Sequence, residues 1–154
     1  MVSIIREIMT NEKLKRELIT IRLEDCEEII DDYIYYIKKK VRERMYNASD
    51  NYSYNIKERE FIVIANQGVK QGIILRHGEK DLHWYVLEQW RDKHILSNAL
   101  RTGVLNMIWP ENKTVTCCYD YGENPEEKYA QTKHLADIAG LEITDEDTAI
   151  IEWV

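Results

Sequence analysis

The chain has 154 residues, 44% hydrophobic and 32% charged, which suits one compact domain with a buried core and excludes a disordered or fibrous protein. A formal net charge of −7 works against generic nucleic-acid binding, which relies on a basic surface to neutralise phosphates. No apolar run approaches the roughly 20 residues of a membrane span, and Arg6 and Glu7 interrupt any signal-peptide core, so a cytoplasmic protein with neither nucleic-acid nor membrane partners is expected.

In chain order, residues 1–16 read as a short amphipathic helix, an N-terminal extension with Ile4, Ile5, Ile8 and Leu14 on its apolar side. Leu18–Leu23 alternates and is rich in β-branched residues, which predicts a first strand. Glu24–Tyr46 is then expected to be helical, because Ile29, Ile30, Tyr33, Ile34, Ile37 and Val41 recur at three and four and form one stripe. The basic run Lys38–Arg44 reads as the solvated C-terminal end of that helix, where cations complement the dipole. Asn47–Asn55 has turn composition and closes it.

Past this point the period changes. Glu60–Ala65 and Val69–Arg76 read as strands joined by Asn66-Gln67-Gly68, and His77–Lys80 turns into a third, Leu82–Leu87. A helix is predicted over Asp92–Met107, with Ile95, Leu96, Ala99, Leu100, Val104 and Leu105 inward and Pro110 as its stop. Thr114–Tyr121 reads as a strand, Pro125–Ala139 as a helix capped by Gly140, and Ala149–Trp153 as a last short strand. This order predicts a single α/β (α+β) domain with a mixed, mostly antiparallel central sheet flanked by helices.

The cysteines and acidic clusters point to no metal. Cys26 falls in the helical pattern, and Cys117 and Cys118 are strand neighbours that point to opposite faces. Asp145-Glu146-Asp147 lacks the glycine and alternating ligands of a calcium loop. Ten Tyr and four Trp against one Phe supply rings with a polar handle, a bias that suits cleft walls and interfaces.

Three stretches share a layout with a known family. Ile19–Asp25 reads as a strand running into a helix. Trp84–Leu96, WYVLEQWRDKHIL, reads as a strand turning into a helix over a phosphate-binding loop. His134–Leu141 reads as a helix closing on Gly before an apolar residue. In these the chain resembles the GCN5-related N-acetyltransferase family, over about Leu18 to Val154. The resemblance implies an acyl-CoA N-acyltransferase-like fold, acetyl-CoA held as co-substrate between the fourth and fifth strands, and transfer of its acetyl group to an amine.

In that family the pyrophosphate is held by backbone N–H groups of a Gln/Arg-x-x-Gly-x-Gly/Ala loop. Arg91 matches the first position, while His94 and Leu96 replace the glycines. The implied cofactor residues are Val86, Leu87, Arg91, Asp92, Lys93, His94, Ile95, Leu96 and Ser97. A helix start keeps its free N–H groups and its dipole whatever side chains it carries. The site then requires Leu96 to turn its side chain into the core. The tyrosine acid common in the family, four residues before the last helix's glycine, is Ala136 here, and its frequent asparagine is Lys128.

Candidate general bases are His83 and Glu88, with Asp120 after the fifth strand; candidate acids are Tyr119, Tyr129 and His134, with Tyr121 beside them. Two functions follow. One is an acetyltransferase acting on an unidentified amine, which an acidic surface would steer toward cationic acceptors. The other is a catalytically inactive binding or interaction module of the same fold, with the N-terminal helix and the aromatic surplus offering a homodimer or partner surface.

Overall fold

The computed structural model describes residues 12–46, 52–76, 82–111, 114–116, 125–144 and 151–153. Leu14, Leu18 and Ile21, spaced four and three apart, are all buried, and the helical period they set prevails. Helix α1 therefore covers 12–20, and a 3-10 turn, Leu23–Asp25, follows it. The strand expected over Leu18–Leu23 does not form. The start of the expected 1–16 helix lies outside the described residues.

The larger correction concerns Glu24–Tyr46, which is a hairpin and not a helix. Strand β1 (Glu28–Ile30) and strand β2 (Ile34–Tyr46) are joined by a turn in which Asp31 and Asp32 take left-handed backbone, with φ of 53° and 61°. Asp tolerates that region because its short side chain can bond locally. At the start of β2, Ile34 and Tyr36 face one core while Tyr35 and Ile37 pack against the other. A strand covered on both faces shows no alternation, so its apolar residues imitate helical spacing. Pairing to β3 (Tyr52–Asn66) overrides the helix propensity of the Lys- and Arg-rich continuation. β3 also takes in residues 52–55, which turn composition had placed in a loop; residues 47–51 lie outside the described ones.

Strands β1 to β5 form an antiparallel meander in sequence order, with β4 at Val69–Arg76, as expected, and β5 at Leu82–Val86. Gln67 and Gly68 both take positive φ in the β3–β4 turn, the combination that matches hairpin twist. Strand β8 (Ile151–Trp153) pairs with residues 43–45 of β2, and β1 pairs with residues 34–36 of that same strand, leaving 37–42 between them.

Helix α2 (Ile95–Ala99) runs directly into a π-helical segment, Leu100–Ile108, whose widened turn ends with the Trp109 amide donating to the Val104 carbonyl at 2.7 Å. The expected helix thus starts three residues later than Asp92 and is not α throughout. Gly103 allows this segment to lie close on β2, since a Cβ there would collide with Ile34 Cδ1. Strand β6 (Thr114–Thr116), helix α3 (Pro125–Ala139) and strand β7 (Glu142–Thr144) make a separate parallel strand–helix–strand unit. Gly140, with φ of 74°, caps α3, and the Leu141 amide reaches back to the Ala136 carbonyl at 2.8 Å. The rest of the strand expected over Thr114–Tyr121 lies outside the described residues.

The result is a mixed α+β fold in three layers. On one face of the meander, Leu14 and Leu18 of α1 and Ile21 just after it meet Val41, Phe61, Val63, Ile73 and Leu75. On the other, Ile34, Tyr36, Ile62, Ile64, Ile74 and Leu82 meet Leu96, Leu100, Val104, Trp109 and Ala136. No helix among the described residues is long and apolar enough to cross a membrane.

Polar contacts also tie the layers at their margins. The Lys70 ammonium, on β4, donates to the Ile19 and Ile21 carbonyls and so caps the C-terminal end of α1. Such a charge-assisted cap also opposes the negative end of the helix dipole. At the far end of the meander the Glu60 carboxylate accepts from the Tyr36 hydroxyl at 2.6 Å and from Arg76 Nη1 at 3.1 Å. Arg76 lies 5.8 Å from the centre of the Trp109 ring and also pairs with Glu111. Burial works to raise the Glu60 pKa. The Tyr36 hydrogen bond, Trp109 and the Arg76 charge outweigh it, so the carboxyl sits below its ordinary value. Burial and the Glu60 bond push the Tyr36 phenol upward.

Replacing Lys70 by Met is expected to cost about 1–2 kcal/mol in urea denaturation, the worth of a charged hydrogen bond at a helix end. The depressed Glu60 pKa makes its stabilisation complete above the ordinary glutamate value of 4.5 and lost as pH falls through the folded value. Glu60→Gln should therefore flatten the acid limb of a stability–pH curve measured against the parent.

Candidate functional site

Three chain segments converge beyond the outer edge of β5. The first is β5 itself. The second runs from its end through a 3-10 turn (Glu88–Trp90) into α2. The third is the C-terminal half of α3. Together they enclose a cavity of about 620 Å³, within the usual range for small-molecule sites. Its lining is Trp84, Tyr85, Val86, Trp90, Arg91, Asp92, Lys93, His94, Ile95, Leu96, Ser97, His134, Leu135 and Ile138.

The connection into α2 is held from both ends. At the strand end, the Leu87 amide donates to the Gln71 carbonyl of β4 at 3.0 Å, and the Trp90 and Arg91 amides close the 3-10 turn onto Leu87 and Glu88. At the helix end, the His94 carbonyl accepts from the Asn98 amide at 3.0 Å and the Ser97 hydroxyl at 3.1 Å. Between them Asp92 and His94 both take left-handed backbone, with φ of 62° and 59°. His94 is the N-cap of α2, at ψ of 18°. It thus adopts the conformation a glycine would supply at that position, and the amides of the first helical turn, which lack intrahelical acceptors, begin there.

Leu96 is 7% exposed and belongs to the core beneath α2, so its side chain turns inward as a ligand-holding loop requires. All the expected cofactor residues line the cavity except Leu87, which packs on the α1 side of the sheet. The charged side chains of the lining are Arg91 and Lys93 against Asp92, a balance of one positive charge.

The candidate acids and bases divide sharply. His134, exposed on α3, lines the cavity. His83 pairs opposite Leu75. Directly opposed strand residues share a face, so His83 stands on the face that carries α1, and it is not part of the cavity lining. Glu88 is exposed at the start of the 3-10 turn and is not part of the lining. Tyr129 lies on α3 by its backbone, and its side chain is outside what is described. Tyr119, Asp120 and Tyr121 lie outside the described residues. Ala136, where the family places a tyrosine acid, is 1% exposed in the core. Among the described residues no group of three or more His, Cys, Asp or Glu is arranged to hold a metal ion.

Sequence reasoning missed Trp84, Tyr85, Trp90, Leu135 and Ile138 as wall residues. The tryptophans and the tyrosine belong to the aromatic surplus, whose location composition alone does not fix. Ile138 lies four residues after His134 and so shares its helix face, while Leu135 lies three before Ile138 at the border of the same stripe.

Left-handed backbone at a residue with a Cβ is unfavourable by about 1–2 kcal/mol, part of which glycine returns as unfolded-state entropy. His94→Gly is therefore expected to raise stability by about 0.5–1 kcal/mol in urea denaturation, and His94→Val to lower it. No protein-family model matches the chain, and no curated protein or solved structure matches it either.

Proposed function

We propose that this chain binds acetyl-coenzyme A, or a ligand of the same phosphate-bearing and ring-bearing kind, in the cavity beside β5, and transfers the acetyl group to an amine. The observation that carries the reading is the geometry of residues 91–97. The loop that sequence marks for a pyrophosphate lines a cavity, its His94 stands in a glycine-like conformation, and Leu96 is withdrawn into the core. Cationic side chains around free helix-start amides suit an anionic group. The indoles of Trp84 and Trp90 at the wall suit a flat ring. The reading rests on the stretches around 84–97 and 134–141, since residues 19–25 are not the strand-into-helix that opens the family's fold.

In the transfer, the amine nitrogen bonds to the thioester carbonyl carbon and the C–S bond breaks. One proton leaves the nitrogen and one is taken up by the departing thiolate. Of the candidate acid–base groups among the described residues, His134 is the one at the wall. A second reading, ligand binding without transfer, is favoured by a specific observation: His83 and Glu88 lie off the cavity, and Ala136 offers no proton.

Calorimetric titration of the full chain with acetyl-CoA tests the binding. Saturable binding tighter than about 1 mM, or roughly −4 kcal/mol, is expected, and its absence overturns the proposal. Thiol release with a panel of amines separates the two readings. Under transfer, His134→Ala lowers turnover by about 10²–10⁴-fold while leaving acetyl-CoA affinity within a few fold. Binding with no thiol release from any amine assigns the chain to the second reading.

A further inference from the structure

The sequence pattern counts Arg91 among the residues that touch a phosphate. Its side chain turns back along the cavity wall toward β5. Nε donates to the Val86 carbonyl at 2.9 Å, and Cζ sits 5.5 Å from the centre of the Tyr85 ring. Both contacts reach back to β5, from which the chain has just departed. They close the turn from Val86 to Arg91 into a side-chain-to-backbone ring immediately before the two left-handed residues Asp92 and His94. Lys93 sits between those two residues, exposed and on the cavity wall.

We infer that Arg91 is a positioning residue: it presets the 92–94 loop from the strand side, and Lys93 supplies the cation that meets the ligand's anionic group. This rests on the ligand reading above, and it goes beyond it by dividing two neighbouring charges into different roles. The chemistry of the two side chains fits the division. A guanidinium can donate through Nε to a carbonyl while its flat face lies on a ring. An ammonium on a flexible stem is a mobile point charge suited to an incoming anion. Left-handed Asp92 and His94 are intrinsically unfavourable, so they need fixed ends, which Arg91 supplies on one side and the His94 carbonyl bonds on the other.

The test uses the full chain with Arg91→Lys, Arg91→Gln and Lys93→Gln. Amide hydrogen exchange over residues 92–97 without ligand, and acetyl-CoA affinity as a function of salt, are the two readouts. Arg91→Lys and Arg91→Gln are both expected to speed exchange and to weaken binding by about three- to tenfold, with the salt dependence of the parent. Lys93→Gln should leave exchange unchanged and make the salt dependence shallower. Arg91→Lys that exchanges and binds like the parent, while Arg91→Gln loses affinity, would overturn the inference by showing that only the charge matters. The exchange arm needs no ligand. A parent that fails to bind acetyl-CoA therefore removes the functional reading, while exchange unchanged by either Arg91 substitution overturns the positioning role.

Discussion

Thirteen consecutive residue pairs join β2 to β3, from Ile34 opposite Ile64 to Tyr46 opposite Tyr52, and this register decides what every other element can do. It places Ile34, Tyr36, Ile62 and Ile64 on the face that receives α2 and the π-helical segment, and Val41, Phe61 and Val63 on the face that receives α1. A slip of one residue would exchange the two sets and leave both helical layers without their complementary surface. The meander transmits the register outward: Ile74 pairs with Trp84 and Gly72 with Val86. The strand residues of the cavity wall are therefore fixed by hydrogen bonds two and three strands away.

The helix that leaves the cavity is anchored at both ends by unlike means. At its start, backbone in an unfavourable conformation is held by Arg91 and by bonds to the His94 carbonyl. At its finish, Trp109 lies 1% exposed in the core beside the Arg76 guanidinium, and Arg76 is tied to Glu60 and Glu111. Between these ends the widened π turns let Gly103 approach Ile34. π-helical turns are uncommon and often mark functional segments; here the segment links a ligand-sized cavity to a charged cluster across the same sheet face.

What was legible in the sequence had short-range causes. Val69–Arg76 and Pro125–Ala139 fall where the flanking glycine-bearing turns, the proline and the Gly140 cap place them, because each signal acts within or beside its own segment. At 91–97 only the strand-to-helix turn was legible, since the helix expected from Asp92 begins at Ile95. Residues 18–46 were not, since two competing periods are present and tertiary partners choose between them. Leu14, Leu18 and Ile21 find Phe61 and Val63 as a helix, whereas Ile34–Ile37 gains two buried faces only as a strand. The left-handed state of His94 was hidden too, because a histidine by itself does not announce it. The positions of His83 and Glu88 relative to the cavity depend on which sheet face carries which helix, a long-range outcome with no local signature.

The stretch of β2 between its two short edge partners has a consequence for how copies of this chain meet. Among the described residues, 37–42 pair on that side with neither β1 nor β8, and an open edge of that length is a template on which another strand can add. Lys38, Lys40 and Arg42 are exposed along it. A second copy adding antiparallel there would set its own cations against these. Charged residues along an open edge disfavour such addition, so the run that periodicity assigns to a helix end instead marks a sheet edge.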